Sequence, residues 1–269
     1  MTLEQFVSQA NRLFVITGAG VSTDSGIPDY RDKHGQWKRP QPMTLQAFTG
    51  SESARRRYWA RSLVGWPIIA SAQPNLTHQA IANLQTRGPA HYLVTQNVDG
   101  LHQKAGSPQV QDLHGRLDVV ICLACGEREQ RERFQARMQA LNPEWADRRA
   151  EVAPDGDAEL DETDFSGFDV PVCEQCAGLM KPDVVYFGET VPAERVRQTR
   201  DALQRSDAML IIGSSLMVYS GFRFARQAHE LGLPIASVTM GHGRADQWLS
   251  LKIEQPCDQA LDFALKTHL

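Results

Sequence analysis

An alternation constrains this chain most: short β-rich apolar runs, none longer than six residues, are separated by longer amphipathic stretches. The runs are Leu13 to Thr17, His91 to Thr95, Val184 to Phe187, Ala208 to Ile212 and Pro234 to Thr239. Between them, apolar residues recur at helical spacing in Leu3 to Arg12, Ser51 to Val64, Leu76 to Arg87, Ala193 to Arg205 and Gly221 to Leu231, with a last helix near Asp258 to Thr267. Strands that read as nearly unbroken apolar runs need helices on both faces, so the pattern predicts an α/β fold on a largely parallel sheet. The 269 residues suffice for a large domain with a smaller insert and can bury a core without disulfides.

The stretch from Arg116 to Met180 breaks the rhythm and reads as an inserted module. It holds Cys122-Leu-Ala-Cys125 and Cys173-Glu-Gln-Cys176, separated by 47 residues. Two such pairs supply four soft thiolates, which suits a closed tetrahedral site, so Cys122, Cys125, Cys173 and Cys176 are candidate ligands of one structural Zn2+. A redox-active pair is the alternative, although neither pair opens a thioredoxin-like unit. The spacer from Gly126 to Val172 carries 13 acidic residues against 6 arginines and no lysine, a balance of 6 − 13 = −7. Such a segment repels phosphate backbones, and Pro154 to Asp169 reads as a solvated loop.

The whole chain has a net charge of 28 − 32 = −4, which gives no electrostatic footprint for nucleic acid. No apolar run approaches the roughly 18 residues of a membrane span. The N-terminus lacks a basic region followed by an apolar one. The expectation is a cytoplasmic protein that binds neither nucleic acid nor membrane.

The first run passes into Gly18-Ala-Gly20-Val-Ser-Thr-Asp-Ser-Gly-Ile-Pro-Asp-Tyr-Arg31. A strand ending in Gly-x-Gly permits a tight turn and lets backbone N–H groups approach a pyrophosphate. A plain βα turn is the alternative. Thr23 stands where the dinucleotide fingerprint wants a third small residue, and no second strand with a terminal acid follows, which argues against an ordinary dehydrogenase. The second run ends in Thr95-Gln-Asn-Val-Asp-Gly100, and a later one in Gly213-Ser-Ser215. Carboxyl ends of parallel strands are where open α/β sheets bind ligands, although Asn-x-Asp-Gly is also good turn chemistry. His114, in Asp112-Leu-His-Gly115, lies between these loops and the insert, and an imidazole titrating near neutrality suits general-base work. Cys257, the odd cysteine, reads as a buried small hydrophobe.

Together these segments, with Lys181-Pro-Asp-Val-Val-Tyr-Phe-Gly-Glu189, resemble the sirtuins, NAD-dependent protein-lysine deacylases, in the family's order along most of the chain. Arg57-Tyr-Trp-Ala-Arg-Ser-Leu-Val-Gly-Trp-Pro67, Leu141-Asn-Pro143 and Ala153-Pro-Asp-Gly-Asp157 resemble the class II branch, in a bacterial-type form. The resemblance implies a Rossmann-like NAD-binding domain (1–115 and 181–269) and a small zinc-binding domain (116–180). NAD is consumed as a co-substrate: the acyl-lysine oxygen attacks the nicotinamide ribose, nicotinamide leaves, and the acyl group passes to ADP-ribose. His114 is then the general base, with Asn97 also catalytic. Gly18, Ala19, Gly20, Asp29, Tyr30, Arg31, Gln96, Asn97, Val98 and Asp99 would hold NAD around its reactive ribose. Gly213, Ser214, Ser215, Thr239, Met240, Gly241 and Cys257 would take the adenosine side, with Thr239 where the family often has asparagine.

Val184, Val185, Phe187 and Gly188 would line the acyl-lysine tunnel and pair with acylated protein or peptide substrates. Tyr58 and Arg61, three apart on one helix face, match a pair that holds acidic acyl groups in the desuccinylase branch, so a longer or acidic acyl group is expected over acetyl. Protein mono-ADP-ribosylation from the same site is the alternative activity.

Overall fold

The computed structural model describes residues 1–30, 32, 36, 38, 42–145, 148, 158, 160 and 164–266. Its strands are β1 (Leu13–Thr17), β2 (Ala90–Thr95), β3 (Val110–Asp112), β4 (Gly115–Cys122), β5 (Arg128–Gln130), β6 (Met180–Val184), β7 (Ala208–Ile212), β8 (Ile235–Val238) and β9 (Leu251–Ile253). The helices are α1 (Leu3–Gln9), α2 (Leu45–Gly50), α3 (Glu52–Ser71), α4 (Leu76–Thr86), α5 (Leu101–Lys104), α6 (Arg131–Leu141), α7 (Ala193–Gln204), α8 (Tyr219–Glu230) and α9 (Cys257–Ala260). Six strands form one sheet in the order β3-β2-β1-β7-β8-β9, parallel throughout, as the apolar runs predict. β5, β4 and β6 form a separate antiparallel sheet.

The parallel sheet is buried on both faces by the period-two alternation of its strands. Leu13, Val15, Leu93, Leu210 and Ile212 pack against Phe6 of α1 and Ile81 and Leu84 of α4. Phe14, Ile16, Val94, Met209 and Ile211 face the other way, onto Leu203 of α7 and Phe224 and Ala228 of α8. The chain runs outward from β1 through β2 to β3, then restarts on the other side of β1 at β7. That reversal, between β1 and β7, is the switch point where a crevice opens beyond the carboxyl ends of the strands.

A further core joins α3 to the small sheet: Trp59 and Leu63 pack with Val120, Phe134, Met138 and Met180. This core draws on residues well before the 116–180 stretch.

α3 extends past the expected end at Val64 to Ser71, with Pro67 inside it. A proline leaves the carbonyl four residues back without its helical partner. Here that carbonyl, Leu63 O, accepts from Gln135 Nε2 of α6 at 2.8 Å. Arg131, buried between Trp59 and Trp66 with its guanidinium carbon 5.6 and 5.2 Å from the ring centroids, donates to Ser62 O at 3.2 Å. Tertiary hydrogen bonds therefore carry the helix through a residue that ends it on local grounds.

Two other expectations differ from the structure. The strand expected at Val184 to Phe187 lies instead at Met180–Val184, as an edge strand of the small sheet, where Pro182 costs no interior ladder bond. Beyond it, Tyr186 and Glu189 close a turn, and Phe187 makes only an isolated bridge with Thr44. The final helix is broken, with α9 followed by a 3-10 turn at Asp262–Leu265, and Thr267 lies outside the described residues. Half of the loop expected to be solvated, Pro154 to Asp169, lies outside them too, and of the other half Ala158 and Phe168 are buried in the core of α3 and the small sheet. No helix among the described residues is long and apolar enough to cross a membrane.

Candidate active site

At the switch point the first glycine turn and the loop after β7 are pressed together. A Cβ on Gly18 would lie 2.7 Å from Ser214 Cβ, and one on Gly20 would lie 2.9 Å from Gly213 O. Gly213 has φ +59, and a Cβ there would lie 2.6 Å from Val21 N. Only glycines let these two turns interlock. The contact also consumes hydrogen bonds: Gly18 N donates to Ile212 O at 3.2 Å and Gly20 N to Gly213 O at 2.9 Å. Those two N–H groups are thereby committed to backbone acceptors. The Ala19 N–H has no partner among the described residues.

A cavity of about 790 Å³ opens above these turns, within the range of small-molecule sites. Gly18, Ala19, Gly20, Asp29, Tyr30, Gln96, Asn97 and Val98 line it at one side, with His114 beside them. Gly213, Ser214, Ser215, Thr239, Met240 and Cys257 line it as well. Val184, Val185, Phe187, Gly188 and Tyr58 form a further wall. Asp99 faces a small adjoining pocket, and Gly241 and Arg61 are not among the lining residues. Arg31 lies outside the described residues.

The polar groups are held by one another. Gln96 Nε2 donates to Thr17 O at 3.1 Å and Ser214 Oγ at 2.8 Å, tying the end of β2 to those of β1 and β7. Asn97 Nδ2 donates to Gly18 O at 3.0 Å and Ser22 Oγ at 3.1 Å. Asp99 accepts from Ser22 Oγ at 2.8 Å and Leu101 N at 2.9 Å, while burial pushes its carboxyl above the ordinary range against those hydrogen bonds. Asp29 is paired with Lys38. Burial pushes the Cys257 thiol up to about 12, leaving it a neutral wall group.

His114 has its two ring nitrogens in different roles. Nδ1 lies 2.9 Å from Gln96 O, which can only accept, so Nδ1 carries the proton. Nε2 then presents a lone pair, 2.7 Å from Ser220 Oγ at the start of α8. Burial lowers the imidazole pKa to about 4; the Gln96 carbonyl opposes this, and Arg195 and Arg223 add to it. The ring is therefore a neutral base of fixed tautomer.

The adjoining wall hangs on a buried lysine. Lys181 Nζ contacts Val184 O and lies 3.1 Å from Glu189 Oε2, which also accepts from Tyr186 N at 2.8 Å. Val185 N donates to His114 O at 2.8 Å, so the wall and the imidazole share one backbone connection. Tyr58 is buried among Phe48, Trp59 and Tyr186. Arg61, one turn along α3, points Nε at Ala158 O, 2.7 Å away.

The four cysteines of the two pairs meet with all Sγ atoms within 4.8 Å of one another. Cys122 Sγ and Cys176 Sγ lie 3.5 Å apart, and Cys125 Sγ and Cys173 Sγ 3.7 Å, against about 3.8 Å between sulfurs on a tetrahedral zinc. Gly178 makes room, since a Cβ there would lie 2.8 Å from Cys122 Sγ. The donor set fits zinc and leaves no open coordination position.

Ser220, Gly221 and Arg223 are cavity or near-cavity residues that sequence reasoning missed. A Cβ on Gly221 would lie 2.4 Å from Gln96 Oε1, so α8 can approach the β2 loop only with glycine there. No local motif marks this helix start; the repeated small residues after Gly213 were its one available signal.

The family model described as the Sir2 family matches residues 18–220. An NAD-dependent protein deacetylase of Xanthomonas campestris pv. campestris (strain 8004) is 60% identical over 97% of this chain and 89% of its own. The NAD-dependent protein lipoamidase sirtuin-4, mitochondrial, of Bos taurus is 46% identical over 96% of this chain and 83% of its own. Among solved structures, a Sir2 mutant with a p53 peptide and NAD superposes with a TM-score of 0.79 at 25% identity, covering 98% of both chains. With a family match over most of its length and relatives this similar, the chain belongs to the Sir2 family, the sirtuins.

Proposed function

We propose that the protein is an NAD-dependent protein-lysine deacylase that moves the acyl group of an acyl-lysine side chain to ADP-ribose. The observation that carries this reading is the neutral His114 imidazole, which lines the cavity with Nδ1 donating to Gln96 O and its Nε2 lone pair held by the Ser220 hydroxyl. NAD, when bound, supplies an electrophilic ribose carbon and a nicotinamide leaving group. The chain's part is to hold and to move a proton. The Ala19 N–H and the Ser214 and Ser215 hydroxyls are donors toward the dinucleotide, the Gln96 and Asn97 carbonyl oxygens, whose amide hydrogens are already bonded within the site, can accept from it, and Thr239, Met240 and Cys257 flank its adenosine end. Asn97 is fixed by two hydrogen bonds and cannot swing out of the site. His114 Nε2 accepts the ribose hydroxyl proton, and Ser220 Oγ–H orients that lone pair until substrate arrives. Tyr58 and Phe187 exclude water from the acyl-lysine channel. Cys122, Cys125, Cys173 and Cys176 hold zinc as a structural knot.

Residues 116–180 with their zinc site form the small domain in this reading, and a cytoplasmic setting suits four closely placed reduced thiols. A class II assignment is supported by the similarity to sirtuin-4. For the acyl group, the geometry favours length over charge: Tyr58 faces the cavity, while Arg61 is committed to Ala158 O.

The test is incubation with NAD and acetyl-, glutaryl- and lipoyl-lysine peptides, with products identified by mass. Deacylated peptide, nicotinamide and acyl-ADP-ribose in equal amounts are expected. A protein labelled with ADP-ribose and an intact acyl-peptide would overturn the reading in favour of mono-ADP-ribosylation.

A further inference from the structure

The cavity has an unusual rim. Tyr219, the first residue of α8, lines the opening and is 47% exposed, beside Val218 at 37% and Met240 at 61%. Three guanidinium groups surround its ring: Arg223 at 5.2 Å, Arg226 at 5.7 Å and Arg244 at 6.0 Å from the centroid. Their commitments differ. Arg226 lies 3.4 Å from Glu230. Arg244 is a brace, stacked 4.1 Å over Phe222 and donating to Met217 O at 3.1 Å. Arg223 lines the cavity, has no carboxylate partner among the described residues, and its Nε is buried without a hydrogen bond. A buried unpaired donor is costly, and a carboxylate is the acceptor that suits a guanidinium best.

The nearby acids leave Arg223 without a carboxylate partner. Glu230 is one turn beyond Arg226, and Asp246 is held by Lys252 at 2.9 Å. The resulting patch is aromatic and cationic, and it lines the same cavity as Val184, Val185, Phe187 and Gly188.

We propose that this rim selects acyl-lysine segments that carry an aspartate or glutamate beside the modified lysine, with Arg223 as the residue that binds the carboxylate. The inference rests on the deacylase reading and names its substrate class. The carboxylate belongs to the peptide rather than to the acyl chain, because Arg223 sits over the half-exposed Tyr219 at the opening while Tyr58 closes the channel behind. The exposed Val218 supplies apolar contact for the rest of the segment.

The experiment compares kcat/KM at saturating NAD for equal-length acetyl-lysine peptides whose flanking residues are acidic, amide or basic. The expected order is acidic above amide above basic. The acidic peptide should lead the amide one by roughly fivefold, the worth of one partly exposed charge pair, with the difference in KM. Raising the salt from 50 to 300 mM should shrink that ratio. Arg223→Gln should bring the ratio close to one, and Arg223→Glu should invert the order, with far-ultraviolet circular dichroism checking that both variants fold. Equal kcat/KM for the three peptides overturns the proposal. So does a preference that follows a succinyl group on an amide-flanked peptide and ignores the flanks. If no peptide is deacylated under any condition, the deacylase reading itself fails, and this inference with it.

Discussion

At the scale of single residues, two groups at the head of β4 govern the site. His114 is the base of the proposed reaction, and its protonation would abolish that role. With its pKa at about 4 instead of 6.5, the imidazole is unprotonated at mildly acid pH. The acid limb of kcat/KM is therefore expected near pH 4, with no inflection near 6.5, and a pH profile of peptide deacylation checks it. His114→Ala should lower kcat by about 10² to 10⁴ while the melting temperature stays close to that of the parent. Its neighbour Gly115 has φ +81, and a Cβ there would lie 1.9 Å from Asp183 O, because β6 crosses at that point. Gly115→Ala should cost about 3 kcal/mol in urea unfolding, through left-handed strain and the clash together. His114 stands out in the sequence because Leu-His-Gly follows a strand and its ligand loop. Ser220 and Arg223 do not, because their roles need the start of α8 brought to His114, 106 positions away.

At the scale of elements, the wall from Val185 to Gly188 is a loop that follows β6, not a strand. Its anchor is the pair of Lys181, 4% exposed, and Glu189, 24% exposed. Burial pulls the Lys181 pKa down, and the Glu189 carboxylate opposes that. Glu189→Gln keeps an acceptor for Tyr186 N but leaves the buried ammonium without its counter-charge. Equilibrium denaturation should show a loss of about 2 kcal/mol, and the peptide KM should rise more than kcat falls. The boundaries of β1 and β7 were readable to the residue, since an apolar run closed by glycine or preceded by polar residues leaves little choice. β3, β5 and β9 have only three residues each, too few for any periodicity, and are strands by virtue of their neighbours. α6 was hidden by its charge, because two of its buried residues are Arg131 and Gln135, whose polar groups are satisfied on α3.

At the scale of the molecule, stability should carry an acid dependence of its own. His78 and His102 are fully buried with ring centroids 4.9 Å apart. Burial lowers His78 to about 4 and His102 well below 6.5. An unfolded imidazole takes its proton near 6.5, so below that pH the unfolded state binds more protons than the folded one. Stability is whole above pH 6.5 and declines as pH falls toward 4, by up to ~1.4 kcal/mol per pH unit for each such histidine. Urea midpoints at pH 7, 6 and 5 should fall in sequence, and a flat series would contradict this. The architecture also sets how damage spreads. β4 begins next to the His114 imidazole and ends at Cys122, so a single strand of at most about 27 Å joins the proposed base to the cysteine cluster. It works as a splint set at both ends. Oxidising the thiolates or stripping their metal would free one end of the splint, and the enzyme would lose alignment at a histidine that no oxidant or chelator had touched.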